Sequence, residues 1–479
     1  MRVNILYGLG ALSAGRVRRA WRGFAVSLAF LGAMAVAGCS SSEQPAAPAA
    51  SAGPAYPVKH GSTGRYLVDQ QGVPFLILGE SPQSMIGNLS EADADLFLSN
   101  RKSHGFNTVW INLLCAGGTA CNADGTTFDG IAPFTTGHGL STYDLSTPNE
   151  AYFTRADRML QLAAKYGFLV HLNPAETISW LPVLRSNGLA KARAYGRYLG
   201  MRYKDFPNLV WQSGNDFQTW RTSPSDDALV REVALGIKET DPHHLQTVQL
   251  NDPVSSSLDD SSWAPIISLN AVYTYFPAYA EVLHAYNQST STPVFLVETS
   301  YEFEPLHHVT TLAGMRHQEY WTALSGATGQ LYGNDYMWRF KTGWQNQLNS
   351  PGAVQLGQMK ALFEPRAWYE LVPDQGHTVV TAGYGTFSST DSIAGNDYVT
   401  AARTPSGKLV MAYVPSARTI TVDMSQLSGP VTARWYDPVV GTFTSIAGSP
   451  FANTGLSDFT TPGTHADGAE DWVLVLEVQ

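Results

Sequence analysis

The chain has 479 residues, of which 44% are hydrophobic, 15% are charged and 11% are aromatic. This composition is typical of a globular protein, and the length allows two or three domains. The formal net charge is −10 and no cluster of basic residues follows residue 22, so we expect no nucleic-acid partner. No glycine-rich loop ends in Gly-Lys-Ser or Gly-Lys-Thr, which disfavours phosphate chemistry. The aromatic content favours a carbohydrate partner, because sugar rings stack on aromatic faces.

The N-terminal segment has the pattern of an export signal. Residues 1–23 are basic and contain no acid, residues 24–36 are apolar, and Ala37 and Gly38 precede Cys39. This order resembles the bacterial lipoprotein signal, and it predicts a signal peptide over 1–38 with lipidation of Cys39. An ordinary secretory peptide cleaved near Ala37 is the alternative.

The segment that follows the signal is rich in Ser, Pro and Ala. Residues 39–56 cannot bury a core, and we interpret them as a flexible tether. The predicted location is therefore outside the cytoplasm, on the bacterial cell envelope (outer membrane or cell surface). The lipid bilayer would be a partner through the acylated Cys39.

Two cysteines remain in the predicted mature chain. Cys115 and Cys121 lie six residues apart in a glycine-containing loop. In an oxidising compartment a disulfide is the natural pairing, and two unpaired thiols are the alternative. Two cysteines are too few for a four-ligand zinc site, and no His-Glu-x-x-His motif accompanies them. We expect no metal and no cofactor.

The middle of the chain alternates short apolar segments with amphipathic ones. The predicted strands are 75–78, 108–113, 168–172, 209–212, 246–250, 266–272, 294–297 and 330–332. The predicted helices begin near residue 90 and then cover 149–166, 190–204, 225–239, 278–288 and 312–324. Eight strand–helix units of this length predict a (β/α)8 TIM barrel over 57–365, of the α/β class. A doubly wound open sheet is the structural alternative.

The sequence changes character after Pro365. Alternating Thr- and Val-rich segments are separated by Gly, Pro and Ser turns, which predicts a small antiparallel β-sandwich domain over 366–479. Its predicted strands are 398–402, 409–414, 419–424, 431–436 and 472–476.

Acidic residues stand where predicted barrel strands end, which is where such barrels place reactive groups. Asp216 follows strand four and Glu298 ends strand seven, so a closed barrel would make them face each other across its mouth. Glycoside hydrolysis needs two such carboxylates, one protonated and one ionised. A single acid at a strand end is more often a structural hydrogen-bonding group, but two at these strands favour catalysis.

Six sequence blocks occur in order along the predicted barrel: YDLSTPNEAYF (143–153), AYGRYL (194–199), RYKDFP (202–207), NLVWQSGND (208–216), PVFLVETSYE (293–302) and SGATGQLYGNDYMW (325–338). Together these blocks resemble the apiosidase-like glycoside hydrolases. The resemblance implies a barrel with retaining glycosidase activity, in which Asp216 is the acid/base and Glu298 is the nucleophile. Family members release the branched pentose apiose from pectin. Residues 370–479, notably 435–438 and 471–474, resemble the β-domain that follows such barrels, often labelled collagen-binding.

The chain departs from the family pattern at four places on the predicted rim. Asn215 stands where relatives have Gly, Glu80 where they have Asp, and 273–275 replaces a Gln-Ser-Gly-His stretch. The segment 173–176 lacks the Trp that relatives often place there. The catalytic pair survives these changes, whereas specificity for apiose does not follow from the resemblance.

Further residues at strand ends are candidates for holding the sugar, with core packing as the alternative for each. The hydrogen-bonding candidates are Glu80, Asn112, Asn215, Tyr273 and Tyr301. Tyr275 and Trp338 are candidates for a stacking platform, and Glu302 is a rival nucleophile.

The functional hypothesis is a retaining glycosidase that acts on a cell-wall or plant polysaccharide. A pentofuranoside, such as an apioside or an arabinofuranoside, is the expected substrate. The alternative is a non-catalytic surface lipoprotein that binds carbohydrate or matrix. A peptidase is disfavoured, because neither a metal motif nor a Ser-His-Asp arrangement is recognisable.

Overall fold

The computed structural model describes residues 53–305 and 310–479. The predicted signal peptide, Cys39 and most of the predicted tether lie outside the described residues. Within them, no helix combines the length and the apolar character needed to cross a membrane.

Eight parallel strands form the central sheet, and together with the surrounding helices they confirm the predicted (β/α)8 barrel. The strands are β1 (Ile77–Glu80), β2 (Thr108–Asn112), β3 (Leu169–Asn173), β4 (Leu209–Gly214), β5 (Gln246–Gln249), β6 (Asn270–Thr274), β7 (Val294–Glu298) and β8 (Gly329–Tyr332). Every residue of these strands is buried, because one face lines the barrel interior and the other meets the helices. This explains why the sequence shows continuous apolar segments there rather than strict alternation.

The helices surround the barrel. They are α1 (Met85–Asn88), α2 (Glu91–Ser103), α3 (Glu150–Lys165), α4 (Thr177–Tyr203), α5 (Pro224–Thr240), α6 (Ala278–Gln288), α7 (Leu312–Leu324) and α8 (Pro351–Phe363). The sequence predicted only the second half of α4, because Pro182 and Gly188 both disfavour a continuous helix. The structure keeps the segment helical but kinks it at Gly188, whose φ is 73°.

The barrel sheet has a seam between β5 and β6, which form no backbone ladder with each other. No α-helix lies between them, and Val254–Ser256 pairs antiparallel with β6 instead. The Ser257 hydroxyl bridges the seam: it donates to Val248 O at 2.6 Å and accepts from Ala271 N at 2.9 Å.

A three-stranded antiparallel sheet at the N-terminal side closes one end of the barrel. Its strands are Lys59–His60, Leu67–Val68 and Pro74–Phe75. Leu67 and Phe75 pack in one apolar cluster with interior barrel residues such as Trp110 and Phe295. The Leu67 N–H donates to Thr328 Oγ1 just before β8, which places this sheet at the strand beginnings. The opposite end, where the strands finish, stays accessible.

The C-terminal part consists of two antiparallel sheets, as the sequence predicted. The larger has the order Val372–Pro373, Thr400–Arg403, Leu409–Val414, Trp472–Val478, Val431–Asp437 and Thr442–Ser445. The smaller has the order Val380–Ala382, Thr419–Asp423 and Leu456–Thr460. An apolar cluster that includes Val410, Ile420, Leu474 and Phe459 forms their shared core.

Buried polar contacts join this sandwich to α7. Arg316 donates to both carboxylate oxygens of Asp471 at 2.8 and 2.9 Å, and the Tyr413 hydroxyl donates to the same group. The rings of Tyr320 and Tyr413 stack with centroids 4.9 Å apart. The sandwich therefore packs on the outside of the barrel.

Candidate active site

A cavity of about 170 Å³ opens where the barrel strands end. It is lined by Gln83, Gly118, Thr119, Ile178, Asn215, Asp216, Tyr275, Glu298, Tyr301, Glu304 and Trp338. Six of these lining residues were predicted from the sequence to bind or react with a sugar. They are Asn215, Asp216, Tyr275, Glu298, Tyr301 and Trp338. The structure thus brings Asp216 and Glu298 into one pocket.

The backbone after β4 is turned sharply toward the cavity. Gly214, Asn215 and Asp216 have φ values of 95°, 88° and 46°, all in the left-handed region that only glycine adopts without strain. A side chain at Gly214 would collide with the carbonyl oxygen of Gln249. Strained conformations of this kind concentrate at functional sites. Here the turn directs the side chains of Asn215 and Asp216 into the pocket.

Glu298 is the last residue of β7 and is 7% exposed. Its Oε2 accepts a hydrogen bond from Gln249 Nε2 at 2.6 Å. The Tyr301 hydroxyl is a second hydrogen-bonding partner, and Gln83 Nε2 donates to that hydroxyl at 3.3 Å. The glutamate is therefore held in one orientation at the cavity wall.

Both carboxyl groups have a raised pKa. Burial raises the pKa of Glu298 well above its usual range, and the neighbouring negative charge of Asp216 raises it further. Burial also raises the pKa of Asp216 to about 6, with a contribution from Asp252. Both carboxyl groups therefore bind a proton more tightly than a carboxyl group in water does.

Two tyrosines close the cavity on the β6 side. The hydroxyls of Tyr273 and Tyr275 lie 2.9 Å apart. Tyr273 is a hydrogen-bonding partner of Asp216, and Tyr275 lines the cavity itself. Tyr273 thus contacts the acid, whereas Tyr275 is placed to contact a ligand.

Asn112 and Asn215 act as a unit. Asn112 Nδ2 donates to Asn215 Oδ1 at 3.0 Å, and both side chains are buried. Only Asn215 lines the cavity, so Asn112 orients Asn215 rather than facing the ligand.

Glu80 and Glu302 are not brought to the cavity. Glu80 forms a buried ion pair with Arg101. Glu302 accepts hydrogen bonds from Gly352 N at 3.0 Å, from Asn334 Nδ2 at 3.1 Å and from the Tyr332 hydroxyl. These partners occupy both carboxylates, which excludes Glu80 as a direct ligand of a sugar in the cavity and Glu302 as its nucleophile.

Trp338 lines the cavity and is fixed by its neighbours. Its Nε1 donates to Asp335 Oδ1 at 3.3 Å, and the Arg339 guanidinium lies 5.2 Å from the centroid of the indole ring. Asp335 also forms ion pairs with Arg339 and Lys341, so this acid at the end of β8 is structural.

One wall of the cavity comes from the loop between the two cysteines. Cys115 and Cys121 form a disulfide, and the turn Gly117–Thr119 between them contributes Gly118 and Thr119 to the lining. The Gly118 N–H donates to Ser179 Oγ at 2.9 Å, which attaches the loop to the start of α4. The sequence identified the pairing but not its position beside the cavity.

Sequence reasoning also did not assign Gln83, Ile178 or Gln249 to the site. Ile178 lies in the first turn of α4, which was not predicted to be helical. Gln83 follows β1 and Gln249 ends β5. A position near a strand end was the only feature of the sequence that could have indicated either residue.

Three potential metal ligands lie close together outside the cavity lining. Ligand atoms of Asp259, Glu281 and His284 lie within 4.8 Å of one another. The Asp259 oxygens already accept hydrogen bonds from Ser256 and Gln288. Among the described residues, no comparable group lies at the cavity.

Residues 61–370 match the family model described as the apiosidase-like catalytic domain. The chain belongs to this family. Membership of this family confirms that the protein is a glycosidase, which is the activity class that the sequence blocks implied. Residues 387–477 match the model described as "Putative collagen-binding domain of a collagenase".

Solved structures share the fold along most of the chain. One is described as a glycoside hydrolase; it is 23% identical with a TM-score of 0.74, over 88% of this chain and 96% of its own. A glycoside hydrolase family 5 protein from Bacteroides vulgatus ATCC 8482 is 22% identical with a TM-score of 0.74, over 88% of this chain and 93% of its own. At these identities the likeness concerns the fold. No curated protein matches the chain.

Proposed function

We propose that the protein is a retaining glycoside hydrolase in which Asp216 is the acid/base and Glu298 is the nucleophile. The observation that supports this most is that both carboxylates line one cavity, and both have pKa values raised by burial. Protonated and ionised carboxyl groups side by side are the requirement of this chemistry.

The hydrogen-bond donors assign the two roles. Gln249 Nε2 donates to Glu298, and the Tyr301 hydroxyl is its second partner; donors of this kind favour the ionised form of a carboxyl group. Asp216 has fewer such partners: Tyr273 is a hydrogen-bonding partner of its carboxyl group, and Oδ1 is buried without a partner among the described residues. We assign the role of proton donor to Asp216, because a pKa of about 6 lets its carboxyl group give a proton to a leaving oxygen and take one back near neutral pH.

The reaction then follows in two steps. A Glu298 oxygen bonds to the anomeric carbon while the bond to the leaving oxygen breaks and Asp216 protonates that oxygen. In the second step Asp216 removes a proton from water, the water oxygen bonds to the anomeric carbon, and the bond to Glu298 breaks. Configuration is retained because each of the two substitutions inverts the anomeric carbon.

The charge of the cavity limits the substrate. Its described lining includes the carboxylates of Asp216, Glu298 and Glu304 and no Lys, Arg or His. These negative charges would repel an anionic sugar, and no cation in the described lining would offset the repulsion, so we propose that the cleaved residue is a neutral sugar. Since the chain belongs to the apiosidase-like family, we propose a neutral pentofuranoside as substrate, such as an apioside or an arabinofuranoside of a cell-wall or plant polysaccharide.

Activity on aryl glycosides tests the assignment. We expect the wild-type protein to hydrolyse a neutral furanoside, and Glu298→Ala and Asp216→Asn to lose this activity. Proton NMR of the first product should show the configuration of the substrate. Glu281→Gln is a matched control, since it changes a partly buried carboxyl outside the cavity. Binding of glycans without turnover would instead establish a carbohydrate-binding protein, and an inverted product would overturn the retaining mechanism.

The proposed location is the cell envelope, through a lipid on Cys39. Expression of the full chain in a bacterial host should place the protein in the detergent phase after Triton X-114 partition. Cys39→Ala should move it to the aqueous phase. Aqueous partition of both proteins would contradict lipidation.

A further inference from the structure

The seam between β5 and β6 separates the two candidate catalytic residues. Asp216 follows β4, which pairs with β5 on one side of the seam. Glu298 ends β7, which pairs with β6 on the other side. No backbone ladder crosses the seam itself, so on this side of the barrel the two carboxylates are connected only through other contacts.

Gln249 makes such a contact. It is the last residue of β5, is 0% exposed and lies opposite Gly214 in the β4–β5 register. Its Oε1 accepts from Asp216 N at 3.0 Å, and its Nε2 donates to Glu298 Oε2 at 2.6 Å. One amide therefore connects the backbone of the proposed acid/base with the carboxylate of the proposed nucleophile.

The polarity of this bridge admits one orientation. A backbone N–H can only donate, so the amide oxygen must face Asp216, and the NH2 group then faces Glu298. A glutamate at this position would place a third carboxylate against Glu298. A methionine of similar length would offer neither the acceptor nor the donor.

We propose that Gln249 is a positioning residue for the reaction. This inference rests on the proposed function of Asp216 and Glu298. Gln249 fixes their separation across the seam and stabilises the ionised form of Glu298 through its NH2 group. The separation matters because carboxylates about 5–5.5 Å apart give retention and wider pairs give inversion.

The pH dependence of kcat/KM distinguishes this role from simple packing. Loss of the donor raises the pKa of Glu298, so the acid limb of the profile, which requires an ionised nucleophile, moves to higher pH. For Gln249→Met we expect a shift of about one pH unit and a fall in kcat/KM of about 10–100-fold at the optimum. For Gln249→Glu the shift should be larger, because the added carboxylate repels the charge of Glu298.

Gln246→Met is the matched control. Gln246 is a buried glutamine on the same strand, but its Nε2 donates to Ala234 O toward α5 rather than to the site. We expect it to reduce stability without moving the acid limb. Thermal unfolding confirms that each variant is folded, and Gln249→Glu decides the question if Gln249→Met does not fold.

The experiments distinguish failure of the role of Gln249 from failure of the proposed function. If Glu298→Ala is inactive but both Gln249 variants keep the wild-type pH profile, Gln249 is a packing residue and only this inference is overturned. If Glu298→Ala keeps the parent activity, the proposed function itself fails, and the positioning role fails with it.

Discussion

Two pairs of carboxylates, Glu80 with Glu302 and Asp216 with Glu298, lie among the same barrel strands and their loops, and they differ in their partners. Glu80 and Glu302 contact a guanidinium, an amide N–H, a side-chain amide and a hydroxyl. Asp216 and Glu298 have no cationic partner among the described residues and face an open cavity. The comparison teaches that position at a strand end does not decide whether an acid is structural or reactive. The donors around it decide.

The largest expected difference between the pairs is in activity. Asp216→Asn should lower kcat/KM by about 10²–10⁴-fold, because it removes the proton donor. Glu302→Gln should keep kcat of the folded protein within about twofold and should lower the free energy of unfolding by about 1–3 kcal/mol. Steady-state kinetics and urea unfolding measure both. Loss of activity in a folded Glu302→Gln variant would contradict the comparison.

Loss of the buried ion pair between Arg101 and Glu80 should mainly lower the free energy of unfolding. Arg101 and Glu80 are 0% and 1% exposed, so Arg101→Met leaves a buried carboxylate without its cation. We expect the free energy of unfolding to fall by about 3–5 kcal/mol. Arg158→Met is the control, since its ion pair with Glu91 is nearly half exposed. Equal losses in the two variants would argue against a special role for the buried pair.

The ionisation of Asp216 should make the folded protein less stable as the pH rises. The pKa of Asp216 is raised to about 6 in the folded protein, so the folded state binds the extra proton between about pH 4 and 6. Stability contributed by this group is therefore greatest at low pH and is lost as the pH rises through 6. Asp216→Asn should be more stable than wild type by about 1–2 kcal/mol at pH 7.5 and no more stable at pH 4.5.

Asp226 provides the contrast for that measurement. Arg185 lowers the pKa of Asp226 to about 2, so its contribution is present above the usual aspartate range and is lost only in stronger acid. Asp226→Asn should reduce the free energy of unfolding at both pH values. A gain at pH 7.5 in this variant would show that the effect of Asp216→Asn is not specific to the reactive pair.

The smallest expected effect concerns the disulfide wall. A Cys115→Ser, Cys121→Ser double variant should loosen the turn that carries Gly118 and Thr119. We expect KM to rise by about three- to tenfold while kcat stays within about twofold, because the carboxylates are not displaced. An unchanged KM would show that the loop is held by Ser179 alone.

Local patterns in the sequence determined the barrel strands, most helices and the sandwich. A buried strand needs a short apolar segment, and an amphipathic helix needs a repeat near 3.6 residues, so both are visible without tertiary information. Helix α4 was incompletely predicted and α8 was missed, since packing against the barrel overrides the local preferences of residues such as Pro182.

The sequence by itself also determined which acids end β4 and β7, and thus the carboxylates that line the cavity. Only the tertiary structure decided that Arg101 pairs with Glu80 and that hydrogen-bond donors surround Glu302. It also decided that the disulfide turn forms a wall of the cavity and that Gln249 bridges the seam. These contacts join residues that are distant in the chain, such as Gln249 and Glu298, and their distances depend on how the barrel closes. No local pattern carries that information.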